Sequence, residues 1–244
     1  MQRTGFLLLA SSLLVLLAGC FAVAPSRPDA KPVSLQSRFI RRLEQGTRQH
    51  VVVFGTSLSE SGAWVPQLRD ALQARFPGLV TFTDTAKGGE SSEWGRAHVE
   101  SRVIAHRPDV VFIEFAINDA VARFGLSPDR VRENLDVMLD RIAAALPECE
   151  IILQVMNPAV GKPVGDFSYR RDQPVYEQIY RDAAKKRGLL LIDHAPTWAA
   201  LLETEGEAGF KHYVPDGVHP NAEAYARFVT PVILKALFGN QATG

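Results

Sequence analysis

The chain has 244 residues, 46% of them hydrophobic and 22% charged, with 27 Lys+Arg set against 27 Asp+Glu. That composition suits one globular domain with a sizeable core. A net charge of zero gives no electrostatic case for nucleic acid as a partner.

Met1-Gln2-Arg3 makes a positive start, and Phe6 to Ala18 is an apolar stretch broken only by Ser11 and Ser12. A membrane-spanning helix needs ~20 apolar residues, so the stretch is short for a span. It reads instead as an export signal. It ends in Leu17-Ala18-Gly19-Cys20, which resembles the lipobox of bacterial lipoproteins. The resemblance implies that residues 1–19 are a signal peptide and that Cys20 carries lipid, anchoring an exported protein in the cell envelope. Phe21 stands where an aspartate favours inner-membrane retention, which points to the outer membrane or the periplasmic face.

Pro25, Pro28 and Pro32 then mark a tether. Residues 20–48 are assigned to tether and linker, with a short helix at Ser37 to Gln45, and 49–244 to the folded domain. With Cys20 lipidated, Cys149 has no partner and reads as a small buried thiol.

From there the chain alternates. Val51 to Phe54 is a strand rich in β-branched residues. Trp64 to Phe76 is helical, with Trp64, Leu68, Leu72 and Phe76 at four-residue spacing. Leu79 to Thr83 is the second strand and Ser92 to Arg107 the next helix. Asp109 to Phe115 is the third strand, apolar without alternation, as in a strand covered on both faces. Ser127-Pro128-Asp129 opens a helix with a capping serine and proline in the first turn. Glu150 to Val155 is the fourth strand, and Asn157 to Gln173 a long polar loop. Val175 to Arg187 is helical, Leu189 to Ile192 is the fifth strand, and Ala195 to Leu202 adds a turn or two of helix. Thr204 to Pro220 reads as loop. Ala222 to Phe238 is the last helix, bent at Pro231 and stopped by Gly239.

This alternation predicts an α/β fold, a three-layer α/β/α flavodoxin-like sandwich whose five-stranded parallel sheet has the order 2-1-3-4-5. That order sets strands one and three side by side, with their carboxyl ends on one crevice.

Four stretches fall at that edge. Gly55-Thr56-Ser57-Leu58 follows strand one, where a serine is as readily a helix cap as a nucleophile. Gly88-Gly89 follows strand two, and two glycines let backbone N–H groups approach a ligand. Asn118, in Ala116-Ile117-Asn118-Asp119, follows strand three and offers amide donors, or caps the next turn. Asp216 and His219 sit three apart in a short loop before the last helix. Such a carboxylate can fix the imidazole tautomer and leave the other nitrogen facing outward, or the pair can serve structure alone.

Together these stretches resemble the four blocks of the SGNH hydrolases, the GDSL esterase/lipase family, in the right order and on the right elements. Thr56 stands for the first block's aspartate, and Ala116 for the usual glycine of the third. The resemblance implies Ser57 as nucleophile, His219 as base and then acid, and Asp216 as its orienter. It implies an oxyanion hole made by the Ser57 N–H, the Gly89 N–H and the Asn118 side chain. No metal or organic cofactor is required. An α/β-hydrolase elbow fails because residue 59 is serine, and a phosphate loop fails for want of a Gly-Lys-Ser/Thr sequence. His212, Asp216 and His219 as metal ligands remain a lesser alternative.

The expected activity is hydrolysis of a small acyl ester, with acetyl on a glycan as the favoured substrate. The alternatives are a lysophospholipase or thioesterase type of hydrolase, an acyltransferase to sugar hydroxyls, and a glycan-binding protein on the same scaffold. Trp64, Trp94 and Tyr169-Arg170-Arg171 are the candidates for the substrate rim.

Overall fold

The structure is a computed structural model that describes residues 36–239. The expected signal peptide, Cys20 and the first part of the tether lie outside the described residues. No helix among the described residues is long and apolar enough to cross a membrane.

Five parallel strands form one sheet in the order β2-β1-β3-β4-β5. They are β1 (Gln49–Gly55), β2 (Val80–Asp84), β3 (Val110–Glu114), β4 (Glu150–Val155) and β5 (Leu190–Asp193). The fold class and strand order read from the sequence are those observed. The sheet is covered on both faces, and strand alternation shows why. Val51, Val53, Val110 and Phe112 point into one apolar cluster, while Val52, Phe54, Val111 and Ile113 point into the other.

The first face is packed by α1 (Arg38–Glu44), α3 (Trp64–Arg75), α8 (Ala195–Tyr213) and α10 (Thr230–Phe238). The second is packed by α4 (Ser92–Arg102), α6 (Pro128–Ala145) and α7 (Gln173–Arg187). Three shorter helices, α2 (Ser57–Glu60), α5 (Ala116–Asp119) and α9 (Ala222–Ala224), stand in the loops. Ser127 caps α6 by accepting the Arg130 N–H at 3.2 Å.

Several boundaries differ from the sequence reading. Phe39, Ile40 and Leu43 of α1 are buried in the core, so the packed body takes in a segment read as linker. Helix α4 stops at Arg102, and a 3₁₀ turn follows at Ile104–His106, ending where Arg107 turns left-handed at φ 48°. The stretch from Thr204 read as loop is helical as far as Tyr213. Its Gly206 adopts φ 68°, which lets a second helical segment turn Phe210 and Tyr213 into the core. The last helix carries a π segment at Tyr225–Val229 just before Pro231, in place of a simple bend.

Candidate active site

The site lies at the carboxyl ends of β1 and β3, which are adjacent in the sheet, with Gly55 in register with Glu114. At the end of β1 the chain leaves the sheet and turns at once into α2. Thr56 is the cap of that short helix, accepting the Leu58 N–H at 3.2 Å on its hydroxyl. Ser57 is the first helical residue and is half-buried. Below it, Trp64 Nε1 and the Tyr225 hydroxyl both donate to the Leu58 carbonyl, at 2.9 and 3.1 Å. Trp64 is therefore a core residue that holds the turn from beneath, and not part of the rim.

Ser57 Oγ lies 2.9 Å from His219 Nε2, although the two are 162 residues apart in the chain. His219 Nδ1 lies 2.6 Å from Asp216 Oδ2. The other Asp216 oxygen accepts the backbone N–H of Val218 at 2.8 Å and of His219 at 2.7 Å. Burial alone would raise this carboxyl, but the His219 side chain and those two N–H groups outweigh it and hold it at about 2. Asp216 is thus an anion at any ordinary pH. It favours the tautomer with the proton on Nδ1, which leaves Nε2 free to accept from Ser57.

The loop that carries this pair is locked to the long loop after β4. Val160 donates to the Gly217 carbonyl at 2.9 Å, and Asn157 Nδ2 to the Val218 carbonyl at 2.8 Å. Gly217 has φ 77°, and a Cβ there would come within 2.0 Å of the Val160 carbonyl oxygen. Only glycine allows that approach.

Asn118, buried in α5, has its amide orientation fixed from both sides. Its Nδ2 donates to the Glu90 carbonyl at 2.8 Å, and its Oδ1 accepts from Arg170 Nη2 at 3.3 Å. One Nδ2 hydrogen remains for a ligand. Gly89 sits at φ 78°, and among the described residues its N–H has no protein partner. Ser57, Gly89, Asn118 and His219 line one cavity of about 420 Å³. Glu60, Gly88, Arg123, Phe167, Ser168, Arg170 and Val218 complete its lining. A larger cavity of about 600 Å³ lies elsewhere, beside Arg38, Glu150 and Arg187, and holds none of these groups.

Of the other residues singled out in the sequence, Trp94 stacks on His98 and packs at a tilt against Phe54, away from the cavity. Cys149 is buried and unpaired, and burial pushes its thiol up to about 12, which leaves it inert. Among the described residues no three His, Cys, Asp or Glu side chains come together as a metal site, so His212 does not join Asp216 and His219 in one.

Arg123 and Phe167 of the rim escaped the sequence reading, and so did an acid beneath the site. Glu114, at the end of β3, is buried directly beneath the Ser57 turn. Its Oε1 accepts the Thr56 N–H at 2.6 Å and the Ser59 hydroxyl at 2.8 Å, and the Thr56 hydroxyl lies 3.1 Å from either oxygen. Burial pushes it up to about 8 against the pull of those donors. Behind Asn118, burial likewise pushes Asp119 up to about 7, while it accepts the Ser92 N–H at 2.7 Å at the start of α4. The available signal was an acid closing an otherwise wholly apolar strand, since acids are rarely buried without a task.

The chain is similar to known proteins over most of its length. The model of the GDSL-like lipase/acylhydrolase family matches residues 51–227. Thioesterase 1/protease 1/lysophospholipase L1 of Escherichia coli K12 is 25% identical over 178 residues, covering 70% of this chain and 72% of its own. An arylesterase of Vibrio mimicus is 26% identical over 198 residues, covering 78% and 90%. Among solved structures, an acetylxylan esterase from Geobacillus stearothermophilus superposes with a TM-score of 0.68. It is 19% identical and covers 81% of this chain and 97% of its own, a likeness of fold alone.

Proposed function

Because the chain belongs to the GDSL-like lipase/acylhydrolase family and is a carboxylic ester hydrolase, we propose that it cleaves small acyl esters through Ser57, His219 and Asp216. The observation that carries the reading is the continuous hydrogen-bonded line from Ser57 Oγ through both nitrogens of His219 to Asp216, at 2.9 and 2.6 Å.

In this reading Ser57 Oγ attacks the ester carbonyl while its proton passes to His219 Nε2. The carbonyl oxygen becomes an oxyanion, met by the Ser57 and Gly89 N–H groups and the remaining Asn118 hydrogen. Collapse breaks the bond to the alcohol, which leaves with the proton from His219. A water molecule, deprotonated by the same imidazole, then attacks the acyl-serine and releases the acid. Asp216 stays ionised throughout and stabilises the transient imidazolium.

A short acyl group, with acetyl as the leading candidate, suits a cavity of about 420 Å³ whose wall at the nucleophile is Gly88-Gly89. An acylated carbohydrate is the proposed alcohol half, in keeping with the acetylxylan esterase of the same fold. The proposed lipid anchor at Cys20 places this activity at the cell envelope, supported by Leu17-Ala18-Gly19-Cys20. The test is turnover of a short-chain chromogenic ester by the unaltered protein and by Ser57→Ala, with circular dichroism to show that the fold is kept. Loss of turnover in the variant is expected, and retained turnover refutes the assigned nucleophile.

A further inference from the structure

Two guanidinium groups on the cavity beside Ser57 form no ion pair with any acid among the described residues. Arg170 is half-buried and spends three of its five N–H donors on neutral oxygens. Its Nε donates to the Ile117 carbonyl at 2.7 Å, Nη1 to the Ser168 carbonyl at 2.8 Å and Nη2 to Asn118 Oδ1 at 3.3 Å. Arg123 lies over the Phe167 ring, its Cζ 3.9 Å from the centroid, and donates to the Phe167 carbonyl at 3.2 Å. Neither has a carboxylate partner among the described residues.

The acids nearby are already engaged. Glu60 accepts the Gly88 N–H at 2.8 Å and lies 3.8 Å from Lys87 Nζ. Asp216 holds His219. Asp166 accepts the Ser168 N–H at 2.6 Å.

A positive charge taken out of water without a counter-ion is costly, and a fold retains one where something else supplies the negative charge. Burial, helped by the neighbouring Arg123, lowers Arg170 to about 10 and outweighs the opposing pull of Asp216 and Asp166, neither of which touches it. Arg130, Arg181 and Arg187, each in contact with carboxylates, are pushed the other way. Phe167 adds a flat surface, 74% exposed, at the same mouth. An aromatic face beside two guanidiniums suits a ring that carries an oxyanion, because the guanidinium fork matches both carboxylate and phosphate.

We propose that the cavity selects esters bearing a carboxylate or phosphate beside the scissile bond, with Arg123 and Arg170 receiving that anion and Phe167 the ring that carries it. An acylated acidic sugar is the natural form of such a substrate. The proposal names the substrate class for the esterase reading and rests on that reading for turnover, but not for binding.

The experiment therefore measures binding to the Ser57→Ala protein, with phenyl acetate, 4-carboxyphenyl acetate and 4-acetoxyphenyl phosphate as probes. At least one anionic ester is expected to bind roughly tenfold tighter than the neutral one, and the tighter anion identifies the group recognised. That preference should fall by about tenfold when Arg123→Gln is added, and should shrink as salt is raised from about 0.05 to about 0.5 M. Arg123 is exposed, so its replacement leaves the fold intact. Equal affinity for the three esters, or a preference unmoved by both Arg123→Gln and salt, overturns the inference. Failure of the unaltered protein to hydrolyse any of the three would instead sink the esterase reading, while a binding preference would still support the anion site.

Discussion

Glu114 Oε1 accepts the Thr56 N–H at 2.6 Å, so the turn that presents Ser57 hangs from an acid that water does not reach. This has a consequence for stability. Below the ordinary value of 4.5 the acid is protonated in folded and unfolded chains alike. From there to about 8 the unfolded chain releases a proton that the folded chain keeps, so the part of the stability that Glu114 contributes falls as pH rises through that window. Asp119, raised by burial from 3.8 to about 7, pulls the same way. Replacing Glu114 with Gln removes one of the two contributions. The decline between pH 4.5 and 8 should become shallower, by up to about 1.4 kcal/mol per pH unit. Urea midpoints of both proteins at pH 5 and pH 8 measure it, and identical declines would show that Glu114 ionises normally.

The same acid explains Gly55. A Cβ at that position would lie 2.3 Å from Glu114 Oε1 and 2.7 Å from the Glu114 carbonyl oxygen. The second atom is backbone held in the sheet and cannot retreat. Gly55→Ala should cost about 3 kcal/mol or more, read as a drop in thermal midpoint. The double variant Gly55→Ala/Glu114→Ala should recover only part of the loss, because the backbone clash persists.

Asp216→Asn keeps the shape of the pair while removing the charge. An amide can donate to His219 Nδ1 and favour the tautomer whose Nε2 carries the proton, which cannot accept one from Ser57. We expect kcat on a short-chain ester to fall by roughly 10⁴-fold with KM nearly unchanged. With the native Asp216 held at about 2, its own titration should leave no inflection in kcat/KM above pH 4. An Asp216→Asn protein of near-native kcat would remove Asp216 from the mechanism.

Asn118→Ala deletes the one side-chain donor proposed for the oxyanion. Loss of such a donor typically lowers kcat by about 10²–10³-fold. Steady-state kinetics should place the loss in kcat and not in KM, since the donor is needed when charge develops. A loss confined to KM would mean that Asn118 binds the ground state alone.

The sheet was legible because its strands are short apolar runs, most of them containing several β-branched residues, and because β3 is apolar on both faces. The convergence of Ser57 with Asp216 and His219 was legible only through the four blocks taken together, because each stretch alone is also a plain cap or turn. What stayed hidden depends on partners that no local pattern records. Glu114 looks like a strand terminus until Gly55 is set beside it by register. Arg170 sits in a loop run of Tyr169-Arg170-Arg171 that reads as solvated surface, yet an isolated bridge pairing it with Val121 turns its side chain inward under Asn118. Gly206 misled in the other direction, since a glycine amid acids suggests a loop, whereas here it joins two helical segments.

In the proposed mechanism, the close approach of Gly217 to the Val160 carbonyl oxygen, 2.0 Å from any Cβ placed there, ties substrate choice to reactivity. Val160 belongs to the segment that runs on to Phe167 and Arg170, and Gly217 to the one that aims the imidazole. Lengthening or reshaping the former must tug on the latter. A lineage that retools this mouth for a new ester would therefore have to retune its proton shuttle in the same evolutionary step, and compensating changes should cluster where the two loops meet.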